Sequence, residues 1–453
     1  MAHTYIIPQF AARLPERLRP LMGQGPMVIG VRVVAAGLAL VAQVLASRLI
    51  GAEDFGRYAL TLVWLLILGH FATFGTNQLV CRYLSAYTTK GDPGRALGLL
   101  YFALGLAGSM SIAIAAIGLV VLHSGLLGLP DVTITLATMA LLFVPLLTLQ
   151  DYLEAISRGL DKPLLGIAPA FLTRHLALIT GVGAAFVLGI SADAVLVLSF
   201  TLAGLLVTVL LQALLLQRSL KRLLGGARAV FQRSSWLRTV LPIAAIDATE
   251  VIFKNGDILI LGLFVSPEFV AVYFAATRIS QILDYIPYGI SAATAQKYAA
   301  LQAQSDRPGL QNLIAKATLA NAALIGVLAV VIGVAAPWLL ALFGQGFGTG
   351  VDIVIILAAG LFASALFGPG EDVLNMLGQE RVCSIVHVAV LVVAVTLHVV
   401  FVPSFGITGA ACVTAFALSL RAVLLSFFAY RRLGLLLPVF IGFRATLTQG
   451  NPS

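Results

Sequence analysis

The stretch RLIGAEDFGRYALTL, residues 48–62, is a charged turn between two long apolar runs. Two acidic residues and two arginines stand here among glycines and aromatic residues, whereas the flanking runs are almost uncharged. Gly51 and Gly56 would let the chain reverse its direction within a few residues. The stretch therefore predicts the tip of a hairpin between two long apolar helices.

The composition around this hairpin is that of an integral membrane protein. Of the 453 residues, 60% are hydrophobic and only 10% are charged, whereas an ordinary soluble domain has about 25% charged residues. Apolar runs of about 20 residues, long enough to cross the hydrocarbon core as helices, recur throughout the chain. The short alternating segments of a membrane β-barrel are not evident. We therefore predict an all-α integral membrane protein.

The apolar runs predict twelve membrane-spanning helices. They cover residues 27–49, 58–80, 96–122, 132–157, 163–190, 192–217, 239–263, 269–294, 312–336, 351–376, 382–402 and 408–430. The connections are short, and the longest, 218–238, has about twenty residues. No connection leaves room for a soluble catalytic domain, and the sequence has no catalytic signature such as GxSxG or HExxH. We therefore predict that the protein is not an enzyme.

Lysine and arginine are distributed unevenly over alternate connections. One set of connections, with the terminal segments 1–26 and 431–453, carries nearly all of the basic residues outside the spans, and the other set carries only Arg48 and Arg57. Because cytoplasmic connections are enriched in these residues, the basic set predicts the cytoplasmic side. Both termini are then cytoplasmic, in agreement with an even number of helices. Residues 1–26 show no cleavable signal peptide.

The two halves of the sequence resemble each other. When the sequence is shifted by 215 residues, GAEDFGRY at 51–58 aligns with SPEFVAVY at 266–273. Each half has six helices, an even number, so both halves begin on the same side of the membrane and are predicted to be parallel repeats, as in many transporters. A binding site is then expected between the halves, near the bilayer midplane. The predicted divisions are an N-lobe at 27–217, a basic cytoplasmic linker at 218–238, a C-lobe at 239–430 and a cytoplasmic tail at 431–453.

The seventh predicted helix carries four ionisable residues spaced by three, four and three positions, namely Asp247, Glu250, Lys254 and Asp257. At 100° per residue they fall within an arc of about 80°. This face is expected to line a wet cleft or another helix rather than lipid. We predict ion coupling at Asp247 and Glu250 and substrate binding at Lys254. The alternative is a self-neutralising stripe that only holds helices together, with Glu250 and Lys254 as an i,i+4 pair.

Arginines inside the predicted helices are further candidates, since ionisable residues within spans are costly. Arg32 and Gln43 lie on one side of the first helix with small residues between them, which fits the wall of a cavity. The alternative for Arg32 is that its side chain reaches the cytoplasmic interface. Arg278 lies deeper, in the eighth helix, and Arg174 of the fifth is an intermediate case. We predict substrate binding at Arg32, Gln43 and Arg278.

Two acidic residues, Glu371 and Asp372, follow FGPG (367–370) in the tenth predicted helix. Pro369, between two glycines, should break or kink this helix. Carbonyl groups freed by the break, beside carboxylates, would bind a proton or Na⁺. The alternative is a kink that leaves the acids near the cytoplasmic headgroups. We predict ion coupling at both acids and a hinge at Pro369.

No metal site is predicted. The three cysteines, Cys81, Cys383 and Cys412, have no CxxC spacing, and no two histidines stand at i,i+4 on one helix. These residues are expected to be small apolar fillers and isolated polar side chains. The net charge of +9 is spread over separate short connections, so nucleic acid is not an expected partner. No cofactor is expected.

Seven short motifs stand in a characteristic order along the chain. They are LIGAEDFGRYAL after the first span, LVCRYLSAY after the second, NGDILILGLF ending the seventh, ATRISQILDYIPYGI in the eighth, LFGQGFGTG after the ninth, DVLNMLGQ ending the tenth and FVPSFGITGAA entering the last. In this order, over residues 27–430, the chain resembles the polysaccharide flippases of the multidrug/oligosaccharidyl-lipid/polysaccharide (MOP) exporter superfamily, in the O-antigen (Wzx-type) branch. The family often has a glycine where this sequence has Ala271, so the second hairpin is expected to be stiffer.

The resemblance implies that the protein moves an undecaprenyl-diphosphate-linked oligosaccharide across the bacterial inner membrane, by alternating access of two six-helix lobes around a central cavity. An anionic diphosphate headgroup would suit Arg32, Lys254 and Arg278. The resemblance also implies coupling to H⁺ or Na⁺, and membrane lipids, a polysaccharide polymerase and a chain-length regulator as partners. The alternative is a small-molecule or multidrug antiporter of the same architecture, which predicts an acid-dominated cavity.

The opening stretch then becomes the first external connection, with a gating role rather than a binding role. The gate or hinge residues predicted in it are Gly51, Gly56, Arg57 and Tyr58. Tyr58 is expected to anchor at the level of the headgroups. Its repeat partner at 266–273 is expected to face the hairpin across the outer mouth.

Overall fold

The computed structural model describes residues 24–126 and 128–439, and all regular structure in this part of the chain is helical. Most of the predicted terminal segments, 1–26 and 431–453, lies outside the described residues. The first half contains α1 (Gln24–Thr73), α2 (Thr76–Thr89), α3 (Pro93–His123), α4 (Asp131–Gly159), α5 (Pro163–Val187) and α6 (Ala194–Leu224). The second half contains α7 (Arg233–Phe264), α8 (Pro267–Ser280), α9 (Tyr285–Ala303), α10 (Arg307–Ala341), α11 (Val351–Ala365), α12 (Gly370–Met376) and α13 (Glu380–Leu433), with 3-10 turns at Gln281–Asp284 and Phe347–Gly350.

Two of these helices reverse direction and cross the membrane twice. α1 turns at Gly51, whose φ of 78° lies in the left-handed region, and α13 turns at Gly406, where φ is 56°. Glycine adopts this conformation without the steric cost that a Cβ atom brings. The described chain therefore has twelve crossings, which confirms the predicted number. They are residues 24–50, 52–89, 93–123, 131–159, 163–187, 194–224, 233–264, 267–303, 307–341, 351–376, 380–405 and 407–433, called spans 1 to 12 below.

Composition alone identifies most of these spans. Within the described residues, eight helical segments are long and apolar enough to cross a membrane. Because α1 and α13 each hold two spans, these segments account for ten of the twelve. The other two are span 7, which is rich in charged residues, and span 8, which a 3-10 turn divides into α8 and α9. The spans that depart from plain apolar helices are thus neighbours in the second half.

Spans 1–6 form one lobe and spans 7–12 form the other, and corresponding contacts hold each lobe together. In the N-lobe, the hydroxyl of Tyr58 lies 2.9 Å from that of Thr201, joining spans 2 and 6. In the C-lobe, the hydroxyl of Tyr273 donates to Asp257 Oδ2 at 2.7 Å and lies 3.2 Å from that of Thr414, joining span 8 to spans 7 and 12. The aligned tyrosines of the sequence repeat therefore occupy equivalent positions.

Tyr58 corrects an expectation, because it does not lie at the level of the headgroups. Its side chain is only 1% exposed, inside the main apolar core. The chain turns at Gly51, well before Tyr58, so the helix has already entered the core of the lobe when it reaches the tyrosine. The buried hydroxyl then needs a partner, and Thr201 supplies it.

Removing the hydroxyl of Tyr273 is expected to destabilise the protein more than removing that of Tyr58. Tyr273→Phe takes from the Asp257 carboxylate a short charge-assisted hydrogen bond, which contributes about 1.5–3 kcal/mol. Tyr58→Phe leaves Thr201 with its second partner, the carbonyl of Val197. Thermal unfolding of both variants in detergent checks the order, and an equal or reversed shift of the midpoint contradicts it.

The segment between the lobes is shorter than predicted. Helices α6 and α7 extend into the predicted linker, so that only residues 225–232 lie outside a helix. This segment packs against the N-lobe, where the Val230 amide donates to the carbonyl of Gly94 at 2.9 Å. The start of α7 does the same, because Trp236 Nε1 donates to the hydroxyl of Tyr87 at 3.1 Å. The first turns of span 7 therefore belong to the N-lobe by packing.

The lobes pack more tightly on one side of the membrane than on the other. We call the side with the turn at Gly51 the Gly51 face, and the side with the Lys- and Arg-rich connections the basic face. Span 8 crosses between them: α8, next to the Gly51 face, buries ten of its fourteen residues, whereas α9, next to the basic face, buries two of nineteen. The two lobes are therefore closed together at the Gly51 face and looser at the basic face.

Candidate functional site

A central cavity of about 200 Å³ lies between the two lobes. Spans 1, 2, 5 and 6 of the N-lobe and span 8 of the C-lobe form its wall. Span 1 contributes small residues at Ala35, Ala36 and Ala39, and these short side chains leave room beside the helix. The polar lining consists of Gln43, Tyr58, Arg174, His175, Thr201, Arg278, Gln281 and Tyr285. Gln43 and Arg278, for which substrate binding was predicted, line this cavity. The sequence repeat also predicted a site between the lobes.

The cavity has a positive lining. Arg174 enters from the N-lobe and Arg278 from the C-lobe, and none of the described residues that line the cavity is a carboxylate. The Arg278 guanidinium donates to Gln281 Oε1 at 2.8 Å and lies over the ring of Phe274, 4.4 Å from its centroid. These contacts fix the guanidinium within the wall and leave the charge without a counter-ion among the lining residues.

Two polar atoms of the described residues at this cavity have no hydrogen-bond partner in the protein. They are the Nε atom of Arg278 and the Oε1 atom of Gln43, both buried. Unpaired buried polar atoms are uncommon in folded proteins and call for an explanation. A ligand that enters between the lobes would supply an anionic acceptor for the Arg278 Nε–H group and a hydroxyl donor for Gln43 Oε1, so the arginine is the part of the lining that suits an anion.

Arg32 lies beside the central cavity and joins the two lobes. Its guanidinium lies 5.3 Å from the ring centroid of Phe171 in span 5 and 5.0 Å from that of Tyr288 in span 8. The Nε atom is buried without a partner. The side chain is thus held between one ring from each lobe rather than extended to the interface, and cation–π contacts of this kind contribute about 0.5–2 kcal/mol.

Aromatic residues close the cavity toward the Gly51 face. Phe55, in the hairpin of the opening stretch, is fully buried. Its ring centroid lies 5.9 Å from that of Phe274, 6.1 Å from that of Phe343 and 6.3 Å from that of Phe347. One N-lobe ring therefore fills a pocket of three C-lobe rings. Phe55 carried no signal in the sequence, because one phenylalanine does not stand out in an apolar chain.

Polar contacts support the same closure. Arg48 donates through Nε to the carbonyl of Leu342 and through Nη2 to that of Ala341, both at 2.7 Å. Ser47 Oγ donates to the carbonyl of Phe343 at 2.8 Å. The three carbonyls follow the C-terminal end of α10, where a positive charge is favourable. The end of span 1 is therefore fastened across the lobes to the end of span 9.

Exchanging Arg48 for alanine is expected to loosen this closure. The variant loses both bonds to α10 carbonyls, while Arg95→Ala is the matched control, because Arg95 is exposed and pairs with Asp92 at the basic face. The reporter is a thiol introduced as Ser47→Cys, in a background with Cys81, Cys383 and Cys412 replaced by serine. We expect this thiol to react faster with an impermeant maleimide when Arg48→Ala is added. Equal rates in Arg48→Ala and the parent would contradict this role.

The hairpins of the two halves also touch directly. Gly56 packs so closely on Pro267, in the hairpin between spans 7 and 8, that a Cβ atom on Gly56 would overlap the proline carbonyl. The expectation that the two hairpins face each other agrees with this contact. Gly56 is therefore required for close approach of the lobes, whereas Gly51 is required for the turn itself, where φ is positive.

The charged residues of span 7 do not line the central cavity, which differs from the expectation that Lys254 joins Arg32 and Arg278 there. Lys254 Nζ donates to Glu250 Oε1 at 2.5 Å, as the i,i+4 alternative predicted, and both face a second cavity of about 480 Å³ within the C-lobe. Helical spacing places residues on one face, but the packing of the lobe decides what that face meets. Here it meets spans 10 to 12.

The other predicted acids lie on spans 7 and 10. Glu371 and Asp372 follow the predicted break of span 10, since α11 ends at Ala365 and α12 begins at Gly370, with Pro369 between them. Glu371 lines the second cavity. Both acids also line a third cavity, of about 330 Å³ and likewise in the C-lobe, together with Arg421. Asp247 is half-buried on α7. Arg421, in span 12, was not singled out, although a charge within a span was the signal for it.

The N-lobe has its own buried polar group. Asp151 Oδ2 of span 4 lies 3.6 Å from Nε2 of His70 in span 2. One turn further along span 4, Glu154 pairs with Arg158 at 3.8 Å. Asp151 is nearly inaccessible to solvent. The N-lobe thus holds a histidine–carboxylate pair away from the central cavity, next to the contact with span 7.

The described chain has twelve spans in two lobes, with a polar cavity between the lobes and a closed face on one side. Sequence comparison then identifies its family. Residues 26–295 match the family described as polysaccharide biosynthesis protein, and the chain belongs to that family. No curated protein sequence matches significantly.

Solved structures share this fold over nearly the whole chain. The inward-facing conformation of a multidrug resistance MATE family transporter of the MOP superfamily has 16% identity and a TM-score of 0.72, covering 90% of this chain and 98% of that one. The lipid II flippase MurJ in an inward closed conformation has 14% identity and a TM-score of 0.68, covering 94% of both. A MOP superfamily transporter from Pyrococcus furiosus, described as having a binding pocket of reverse polarity, has 15% identity and a TM-score of 0.61, covering 93% and 99%.

Proposed function

We propose that this protein moves a polyprenyl-diphosphate-linked oligosaccharide from one leaflet of the membrane to the other by alternating access. The observation that carries the proposal is the central cavity, where Arg174 and Arg278 converge from opposite lobes with no carboxylate among the described lining residues. Membership in the polysaccharide biosynthesis protein family supports a lipid-linked glycan. The lipid II flippase with the same fold supports a lipid-diphosphate substrate.

The diphosphate is the part of this substrate that the cavity suits. Guanidinium groups bind phosphate oxygens through paired hydrogen bonds, and Arg278 Nε is free to donate. The cavity of about 200 Å³ is smaller than the roughly 300–1,000 Å³ of ordinary ligand pockets. In this conformation it accommodates the diphosphate, while the sugars require opening of the lobes. The polyprenyl chain remains in lipid between the lobes.

The direction of transport follows from the charge of the connections. The basic face is proposed to be cytoplasmic, with both termini on that side, in the inner membrane of a bacterium. The closed Gly51 face is then the outer gate, and the structure corresponds to a state that faces inward. The product would be taken up by a polysaccharide polymerase and a chain-length regulator, with O-antigen or exopolysaccharide repeat units as the proposed cargo.

The ionisable residues away from the cavity are proposed to couple transport to H⁺ or Na⁺. The candidates are Asp247, Glu250, Glu371 and Asp372, on spans 7 and 10. Their separation from the central cavity supports coupling through helix movement rather than direct contact with the substrate. Gly51, Gly56, Arg57, Tyr58 and Pro369 are proposed as gate or hinge positions.

A multidrug antiporter is the second candidate. The MATE fold supports it, as do the acids of the second cavity, which would suit an organic cation. The positive lining of the central cavity favours the flippase, because an organic cation would meet two arginines and no carboxylate there.

Deletion of the gene tests the two candidates. The flippase predicts that lipid-linked oligosaccharide accumulates in the cytoplasmic leaflet and that surface polysaccharide is lost, with both restored by the intact gene. The antiporter predicts unchanged polysaccharide and increased sensitivity to cationic drugs. Normal polysaccharide and no accumulation, in a strain without a second gene of this family, would exclude the flippase.

A further inference from the structure

Three different metal-binding side chains meet in the C-lobe, at the second cavity. They are the carboxylate of Glu371 on α12, the thiol of Cys383 and the imidazole of His387, both on α13, and their donor atoms all lie within 4.8 Å of one another. Cys383 and His387 are one turn apart on the same helix face, while Glu371 follows the break in span 10. The CxxC and i,i+4 His–His spacings on which the expectation of no metal site rested do not include the i,i+4 pair of Cys383 and His387.

The orientation of His387 is that of a metal-binding histidine. Its Nδ1 atom lies 2.8 Å from the carbonyl oxygen of Cys383, and because a carbonyl only accepts, Nδ1 carries the proton. In the neutral ring the lone pair is then on Nε2, which faces Glu371 Oε2 at 3.4 Å, and a bound metal would take the place of a proton there. A backbone carbonyl on the second ring nitrogen is the common way in which proteins orient such a ligand.

The spacing of the donors fits zinc. Two N or O ligands at about 2.0–2.1 Å from Zn²⁺ in tetrahedral geometry lie about 3.4 Å apart, which matches the distance of 3.4 Å between His387 Nε2 and Glu371 Oε2. Cys383 Sγ lies 3.6 Å from Nδ1 of the same ring, and the donor atoms of the three residues lie within 4.8 Å of one another, so the thiol has to move closer to Nε2 when a metal binds. The cavity of about 480 Å³ beside it has room for water as a fourth ligand.

The charges around the group are compatible with a divalent cation. The second cavity is lined by three glutamates, one lysine and one arginine, a net charge of −1. Lys254 is paired with Glu250, and Arg421 lies over the ring of Phe253, 4.8 Å from its centroid. Binding of a metal would convert the Cys383 thiol to a thiolate, so the lining would carry −2. A divalent cation neutralises this charge.

We propose that Glu371, Cys383 and His387 form a binding site for a thiophilic divalent metal ion, of which Zn²⁺ is the best fit. A set of one thiolate, one imidazole and one carboxylate selects zinc over Na⁺ or Mg²⁺, which prefer oxygen ligands. The ion joins α12 to α13 and so fixes the part of span 10 that follows Pro369. The site lies outside the central cavity, and it is independent of which substrate the protein transports.

Cobalt binding by the purified full-length protein in detergent tests the site. Co²⁺ is expected to bind one per chain and to give a thiolate-to-cobalt charge-transfer band in the near ultraviolet, which Zn²⁺ abolishes by displacement. Cys383→Ser is expected to remove the band. His387→Gln and Glu371→Gln are expected to weaken binding at least about tenfold, in line with the loss of affinity when metal-site residues are replaced.

The chain supplies matched controls for the thiol. Cys412→Ser, at an exposed position of span 12, and Cys81→Ser, in span 2, are expected to retain the band. A single symmetric peak in gel filtration establishes that each variant is folded. Wild-type protein without a charge-transfer band, or a band that survives Cys383→Ser, would overturn the proposal and leave Glu371 and His387 as an ion pair. Measurement of zinc by mass spectrometry after dialysis gives the stoichiometry independently.

Discussion

Arg278→Ala is expected to abolish most of the transport of a lipid-diphosphate substrate while leaving the protein in the membrane. The side chain lies in the wall of the central cavity with a buried Nε that has no partner in the protein. A hydrogen bond to a charged group contributes about 1.5–3 kcal/mol, so the rate should fall about 10- to 100-fold. Arg174→Ala should behave alike, because it supplies the opposite side of the same cavity.

Proteoliposomes that contain a fluorescent lipid-linked oligosaccharide provide the measurement, with protection from a reagent in the external solution as the readout. Arg95→Ala is the matched control, since Arg95 is exposed and pairs with Asp92 far from the cavity. Arg278→Lys should retain part of the activity, because it keeps the charge but not the paired hydrogen bonds. Full transport by both Arg278→Ala and Arg174→Ala would remove these residues from the site, and improved efflux of cationic drugs would favour the antiporter.

Gly56→Ala is expected to shift the protein toward a conformation that opens at the Gly51 face. The added Cβ atom would overlap the carbonyl of Pro267, and this backbone group cannot move aside as a flexible side chain would. The closed state is destabilised relative to the open one, and about 2.7 kcal/mol would change their ratio about 100-fold. Transport should fall, because the cycle requires both states.

The accessibility of the thiol in Ser47→Cys, in the background without native cysteines, measures this shift. Ser47 is 1% exposed in the closed structure, so its labelling should increase strongly in Gly56→Ala. Gly37→Ala is the control, because Gly37 is also helical and a Cβ atom there meets no other atom within 4 Å. Unchanged labelling in Gly56→Ala, or an equal increase in Gly37→Ala, would contradict a gating role for this contact.

The fold could be predicted from the sequence because the spans follow from hydropathy averaged over about 20 residues. Hydropathy gives the spans, and the aligned Tyr58 and Tyr273 mark the repeat, since both make the same kind of contact within their lobes. Arg278 was identifiable because a charge inside a span is costly and therefore rare. The hydropathy, the repeat and the buried charge can all be read from the order of residues, without knowledge of how the spans pack.

The remaining features depend on which surfaces meet. Periodicity placed Lys254 on the charged face of span 7, but only the packing shows that this face looks into the C-lobe. Phe55 enters a pocket formed by other spans at the Gly51 face, and its sequence context is indistinguishable from that of any buried phenylalanine. Glu371 approaches His387 from a different span, so no spacing in the chain could have revealed the pair.

The attachment of the first turns of span 7 to the N-lobe has a mechanical consequence. Trp236 is fastened to Tyr87 of the N-lobe, whereas Asp257, further along the same helix, is fastened to Tyr273 of the C-lobe. One helix is thus held by the N-lobe near its start and by the C-lobe near its end. Pro242 lies between these two contacts and lacks the N–H group that would complete the hydrogen bonds of α7. Because the proposed alternating access rotates the lobes against each other, span 7 is expected to bend in the cycle, with Pro242 as the expected position of the bend.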